Sequence, residues 1–319
     1  MQVREYCRGD EKKILNLFQL SFDKPLAREY WAWRYRDNPF GEGIIRLLFD
    51  GQELIGHYAV IPMQVEFDNR TVKAAFSMTT MTHPEYRGKG IFVSLAEETY
   101  RACGDSGIEL VFGFPNVNSY YGFTEKLGWH GFGNMAGWEI HIGEVKYVAE
   151  KGIIVGKEAY FADEFDKFWQ TAKPEGKVAV PRGEKYLNWR YIENPEETYE
   201  VFSFRSKNNE LLGYTVLKEY WGGEEPVGHI VDMLFCSDAS ILSIGVKHAM
   251  CYFNDRGTRK LSCWTTDSRE VSALEAIGFA KVEWPVYFGV KKMNNSEEYD
   301  PDIMEFGKWR LTMGDSDVF

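Results

Sequence analysis

At 319 residues and 36.9 kDa the chain exceeds the size at which one hydrophobic core stops growing, so two domains are expected, and 44% hydrophobic with 16% aromatic residues gives both a sizeable core. A formal charge of −11 and a pI near 5.2 argue against a nucleic-acid surface and favour cationic substrates such as amines. Met1–Tyr6 carries no apolar signal core, no run approaches transmembrane length, and the five cysteines lack C-x-x-C spacing, so a membrane span, a disulfide framework and a metal site of the zinc type are not expected and a cytoplasmic protein is.

The first readable element ends in Trp33-Arg34-Tyr35-Arg36-Asp37-Asn38-Pro39, where aromatics pack a helix end and Asn-Pro stops it. A strand pair follows, with a turn and a Leu-x-Gly-His step at Leu54-Ile55-Gly56-His57-Tyr58. A strand-like run from Ala75 to Thr82 then leads through His83-Pro84-Glu85-Tyr86 into Arg87-Gly88-Lys89-Gly90-Ile91-Phe92. Two glycines at a strand exit bring bare backbone N–H groups to the positive end of a helix, where a pyrophosphate can be bound. That helix is read from Phe92, Leu95, Ala96, Thr99 and Cys103, with Gly104 as its stop. Ile108–Phe114 reads as a buried strand and exits into Pro115-Asn116-Val117-Asn118-Ser119-Tyr120-Tyr121-Gly122-Phe123-Thr124-Glu125-Lys126-Leu127-Gly128-Trp129.

A Gly- and charge-rich stretch at Gly143–Lys157 reads as a linker or crossing strand, and beyond it the pattern recurs. After a short helix at Asp163–Gln170, Trp189-Arg190-Tyr191-Ile192-Glu193-Asn194-Pro195 repeats the first heptad, Leu211-Leu212-Gly213-Tyr214 the strand-pair step, and Ala276-Ile277-Gly278-Phe279 the Lys-Leu-Gly-Trp step. Three echoes in the same order mean one fold duplicated, with the heptads structural rather than catalytic. Strand His229–Phe235 corresponds to Ala75–Thr82, yet it leads into Cys236-Ser237-Asp238-Ala239-Ser240, with no glycine for close approach and a carboxylate where the first copy has Arg87 and Lys89. The tail, Glu298–Asp302 and then Phe306–Phe319, is aromatic enough to dock on the body.

The order strand, Pro-x-x-Arg-Gly-x-Gly, helix resembles the acyl-CoA loop of the GNAT acyltransferases, and the Asn-containing strand exit ending in Lys-x-Gly-aromatic resembles their second signature. The resemblance implies an α/β (α+β) protein of two tandem GNAT folds, each a mixed, mostly antiparallel twisted sheet flanked by helices. It places an acetyltransferase domain with the acyl-CoA loop at 1–145 and a degenerate domain without that loop at 146–319. It further implies acetyl-CoA or another acyl-CoA as co-substrate, with a small-molecule amine or amino sugar as acceptor and neither nucleic acid nor membrane as partner. By resemblance the pyrophosphate is held at Arg87, Gly88, Lys89, Gly90, Ile91, Phe92 and Val93, the pantetheine arm lies beside Thr80, Met81 and Thr82, and Asn118 and Ser119 contact the pantetheine and adenosine side.

Two departures from the family bear on chemistry. Phe92 stands where the loop usually has a small residue, and either reshapes the pocket or turns into the core. Thr124 stands where many relatives have the Tyr that protonates the departing thiolate, and its hydroxyl is far too weakly acidic for that work. Tyr121, ahead of Tyr120, lies on a similar helical face and is the substitute candidate. For the base, the strand offers no carboxylate; His83 and His57 each could titrate near neutrality, and resemblance to tandem members of the family that use their own terminal carboxylate makes Phe319 a remote third. Asp315 and Asp317 are candidates for lining an acceptor cleft between the halves. A non-catalytic acyl-CoA sensor and an aminoacyl-tRNA-dependent ligase are the alternatives.

Overall fold

The computed structural model describes residues 1–67, 70–143, 152–293 and 301–319. The middle of the stretch read as a linker, 144–151, and the start of the tail, 298–300, lie outside the described residues. In chain order the elements are β1 (Gln2–Glu5), α1 (Glu11–Phe22), α2 (Arg28–Tyr35), β2 (Ile44–Asp50), β3 (Glu53–Phe67), β4 (Arg70–Thr82), α3 (Ile91–Asp105), β5 (Leu110–Gly113), β6 (His130–His141), β7 (Ile153–Glu158), α4 (Glu164–Ala172), β8 (Val178–Ala179), α5 (Glu184–Leu187), β9 (Glu200–Ser206), β10 (Leu211–Tyr220), β11 (Val227–Phe235), α6 (Ala239–Asn254), β12 (Lys260–Trp264), α7 (Ser268–Ile277) and β13 (Ala280–Lys292). They form two compact units: Met1–Gly133 with Pro285–Glu305, and Asn134–Trp284 with Phe306–Phe319.

In the first unit β1, β2, β3 and β4 pair antiparallel in that order, and β4 runs parallel to β5 across the α3 crossover. β5 in turn pairs antiparallel with Gly289–Lys292 of β13. The buried face of α3, with Ile91, Leu95, Ala96, Tyr100 and Cys103, joins Leu48, Ile55, Tyr58 and Val60 in one apolar cluster. Gly56 is what lets helix and sheet close: a Cβ there would come within 2.6 Å of Ile91 and 2.8 Å of Leu95. The Leu-x-Gly step thus has a packing reason.

The second unit repeats this order. β7, β9, β10 and β11 pair antiparallel, β11 runs parallel to β12 across α6, and β12 pairs antiparallel with Gly137–His141 of β6. Its core gathers Phe204, Leu217, Ile230, Met233 and Phe235 with Leu242, Val246, Met250 and Phe253 of α6. Each sheet is mixed and mostly antiparallel. Each is also completed by a strand from the other half of the sequence, β13 in the first unit and β6 in the second.

Both heptads hold a helix exit, as their repetition suggests. Asn38 donates to the Pro62 carbonyl (3.1 Å) and accepts from the Phe40 amide (2.8 Å), while Asn194 accepts from the amides of Glu196 and Glu197. The tail docks within the second unit, burying Trp309, Leu311 and Met313. Its charges are buried with partners: Arg182 meets Asp232 at 2.9 Å and Asp315 at 2.8 Å, and Arg310 meets Glu270 at 2.8 Å.

Candidate active site

β4 changes character at its midpoint. It pairs with β5 only as far as Ser77↔Gly113, while on its other side it continues against β3 as far as Gly56↔Thr82. The edge of β4 from Met78 to Thr82 that β5 has left carries no ladder among the described residues, so its backbone groups are available to an incoming extended chain. The β3–β4 register slips between His57 and Ala59, and Thr79 takes a left-handed φ of 50°. That bulge lies immediately before Thr80, Met81 and Thr82, of which Met81 is buried and the two threonines half-buried.

The chain then turns through Pro84–Tyr86 into the glycine loop. Gly88 and Gly90 have φ of 76° and 77°, the left-handed region in which a side chain is strained, and among the described residues nothing beyond their chain neighbours lies within 4 Å of where their Cβ atoms would be. α3 starts directly after Gly90 with no side-chain cap and no acidic residue in its first turn. The first-turn amides of Ile91, Phe92 and Val93 therefore face outward at the positive helix end. Arg87 and Lys89 are exposed beside them, Lys89 lying 4.4 Å over the Tyr86 ring. Phe92 turns into the core: its ring packs edge-on to Phe123 at 5.0 Å, and a Cβ on Gly122 would strike it at 2.7 Å.

At the exit of β5, Asn116 accepts from the amides of Asn118 (3.0 Å) and Ser119 (3.2 Å), which fixes the turn that carries those two residues. Thr124 donates to the Tyr120 carbonyl at 3.1 Å, so its hydroxyl is occupied locally. Tyr120 stacks on Tyr287 at 4.2 Å, whereas Tyr121 is 63% exposed.

The two histidines separate cleanly. His83 accepts from the Glu85 amide through Nδ1 (3.3 Å), which leaves the proton on Nε2, 3.7 Å from Glu53. His57 is enclosed; burial pushes it down to about 4, and its Nδ1–H donates to the Thr79 carbonyl at 2.9 Å. It is a neutral structural donor and is shut off from solvent. A further network was invisible in the sequence: Trp129 Nε1–H donates to Tyr100 (2.8 Å), Tyr100 and Tyr58 share a hydrogen bond (2.9 Å), and Tyr58 meets Ser77 at 2.7 Å, where β4 and β5 part. Burial raises both tyrosines above the ordinary phenol range, so they remain protonated. No spacing rule links positions 58, 77, 100 and 129.

The segment that builds this loop matches the acetyltransferase (GNAT) domain over residues 2–131. Residues 2–131 belong to the GNAT acetyltransferases. The chain is also similar in fold to a conserved protein of unknown function from Enterococcus faecalis, at 12% identity and a TM-score of 0.72, covering 92% of this chain and 72% of that one. A GCN5-related N-acetyltransferase from Anabaena variabilis follows at 15% identity and a TM-score of 0.68, covering 92% and 73%. A tandem GNAT protein from the clavulanic acid biosynthesis pathway aligns over 93% of this chain and 99% of its own, with 11% identity and a TM-score of 0.61. No curated protein sequence matches the chain.

In the second unit no glycine stands between the strand and the helix at the corresponding place. After β11, Asp238 caps α6 and accepts from the Ser240 amide at 2.9 Å, so a carboxylate already occupies the position that an anion takes at an open helix start. Three late candidates are corrected or placed by the same unit. Asp315 is buried, paired with Arg182 and capping Thr312 N (2.8 Å), and so does not line a cleft. Asp317 is half-buried. The Phe319 oxygen accepts from Arg190 (2.6 Å) and Tyr199 (3.0 Å). Among the described residues no cluster of metal-type ligands occurs, and no helix is long and apolar enough to cross a membrane.

Proposed function

We propose that the protein is an acyl-CoA-dependent N-acyltransferase, with acetyl-CoA as donor and a small-molecule amine or amino sugar as acceptor. The observation that supports this best is the pairing, in the first unit alone, of an uncapped helix start behind two left-handed glycines with the unladdered edge of β4. In this reading the amides of Gly88–Val93 hold the pyrophosphate, with Arg87 and Lys89 adding charge. The pantetheine arm adds as a strand along Thr80–Thr82, and an amide there polarises the thioester carbonyl. The amine nitrogen attacks the carbonyl carbon, a C–N bond forms and the C–S bond breaks. One proton leaves the nitrogen and one reaches the sulfur. Tyr121, then Tyr120, is the proposed donor to sulfur, and His83 the proposed acceptor from nitrogen through Nδ1, which must first release the Glu85 amide.

Free-thiol release from acetyl-CoA, measured with and without a panel of amines and amino sugars, tests the proposal: amine-dependent release with an acetylated product is expected. Binding without turnover on any amine would favour the second reading, an acyl-CoA sensor, which the locally occupied Thr124 hydroxyl supports. The −11 charge and the intact loop weigh against a tRNA-dependent ligase. A cytoplasmic location belongs to the same proposal, in line with five free cysteines.

A further inference from the structure

We infer that His57 is a positioning residue for acyl transfer, holding the β4 bulge so that the amides of Thr80 and Thr82, which alternate with the β3-facing amides of Met81 and His83, stay aimed along the unladdered edge; the role in transfer rests on the acyltransferase reading above.

Thr79 is a β-branched residue at φ 50°, a backbone conformation that glycine or asparagine adopts readily and threonine does not. Such strain persists only where surrounding structure over-determines it. His57 supplies that constraint from the neighbouring strand. It pairs with Met81 across the ladder, and the register slip falls beside it, so that Tyr58 faces the extra residue of β4. Its ring turns to the Thr79 carbonyl and donates Nδ1–H at 2.9 Å. A carbonyl can only accept, so the hydrogen must sit on Nδ1 and Nε2 must be a bare lone pair. Among the described residues that Nε2 has no hydrogen-bond partner, and the residue is 1% exposed. A leucine would fill such a space without leaving a buried acceptor unsatisfied. The imidazole brings one polar contact in return, and that contact is to the strained residue of the bulge.

The test compares His57→Leu, which keeps bulk and removes the donor, with His57→Asn, whose side-chain N–H hangs from Cγ as Nδ1 does. Hydrogen exchange at the Met81 amide, which faces β3 opposite His57, acetyl-CoA affinity, and kcat and KM for the best amine are measured for each. In His57→Leu, exchange at that amide should speed at least tenfold, acetyl-CoA binding weaken, and kcat fall tenfold or more with the amine KM unchanged. His57→Asn should recover most of each loss. Adding Thr79→Gly to His57→Leu should also recover kcat, because glycine holds the left-handed φ unaided. If His57→Leu does not fold, His57→Asn and the double variant carry the same comparison. Wild-type exchange and kcat in folded His57→Leu, or equal impairment of the Asn and Leu variants, would overturn the inference. A wild-type protein that binds no acetyl-CoA would sink the acyltransferase reading instead, and with it the role in transfer, while exchange at Met81 would still decide whether His57 holds the bulge.

Discussion

At the scale of single residues, the chemistry turns on which hydroxyl can reach a departing thiolate. Thr124 is committed to the Tyr120 carbonyl, and Tyr120 is held in a stack with Tyr287, which leaves Tyr121 as the phenol with room to move. Tyr121→Phe is expected to lower kcat by roughly a hundredfold while acetyl-CoA affinity stays near wild type, since a general acid acts in the transition state. Full activity in both Tyr121→Phe and Tyr120→Phe would refute the assignment. Two other residues set a pH dependence of stability. Burial pushes His57 and His229 down to about 4, from an ordinary value of 6.5. The unfolded chain therefore takes up protons below pH ~6.5 that the folded chain refuses. Stability is full above that pH and drains as pH falls toward about 4, at up to ~1.4 kcal/mol per pH unit for each histidine. Urea midpoints compared at about pH 7 and about pH 5 should show the loss, and identical midpoints would contradict it.

At the scale of elements, two helices that follow equivalent strands begin in opposite ways. α3 starts behind left-handed glycines with open amides, and α6 starts on an Asp238 cap. Calorimetry should therefore find one acetyl-CoA site per chain, and Gly90→Asp should abolish it, both by straining φ 77° and by placing a carboxylate at the helix start. Two equal sites, or unchanged binding in that variant, would refute this. These elements were legible because glycine, proline and helical periodicity are local signals, and they place Arg87–Val93 directly. The bulge was not, because nothing about a threonine announces a left-handed φ at position 79; neighbouring-strand contacts impose it. His57 shows the same limit: the residue type suggests a titrating base, and only burial reveals a neutral donor.

At the scale of the whole molecule, the repeat was legible from its heptads, while the exchange of strands was not, since pairing between β5 and β13 leaves no mark at short sequence range. That exchange makes a definite claim about the first unit. A fragment of residues 1–143 contains the loop, α3 and the parted β4 edge, yet it lacks Gly289–Lys292, so the full length of β5, from Leu110 to Gly113, loses its outer partner. β5 is buried along its whole length in the intact chain, with Val111 and Phe112 at 0% exposure. Unpairing it exposes an apolar strand edge, which invites association with other chains. The fragment is expected to be less stable than the first unit of the full protein and to aggregate on mild heating. A peptide of residues 285–305 added in trans should restore solubility and raise the melting temperature in a concentration-dependent way, by mass action on the folded form. A variant peptide with proline at Lys291 and Met293, whose amides lie on the β5 side, that of Met293 donating to the Glu109 carbonyl, cannot donate its ladder hydrogen bonds and should fail. Scanning calorimetry with size-exclusion chromatography reads both. A 1–143 fragment that is monomeric and as stable without the peptide as with it would show that the β13 segment is dispensable to the first unit.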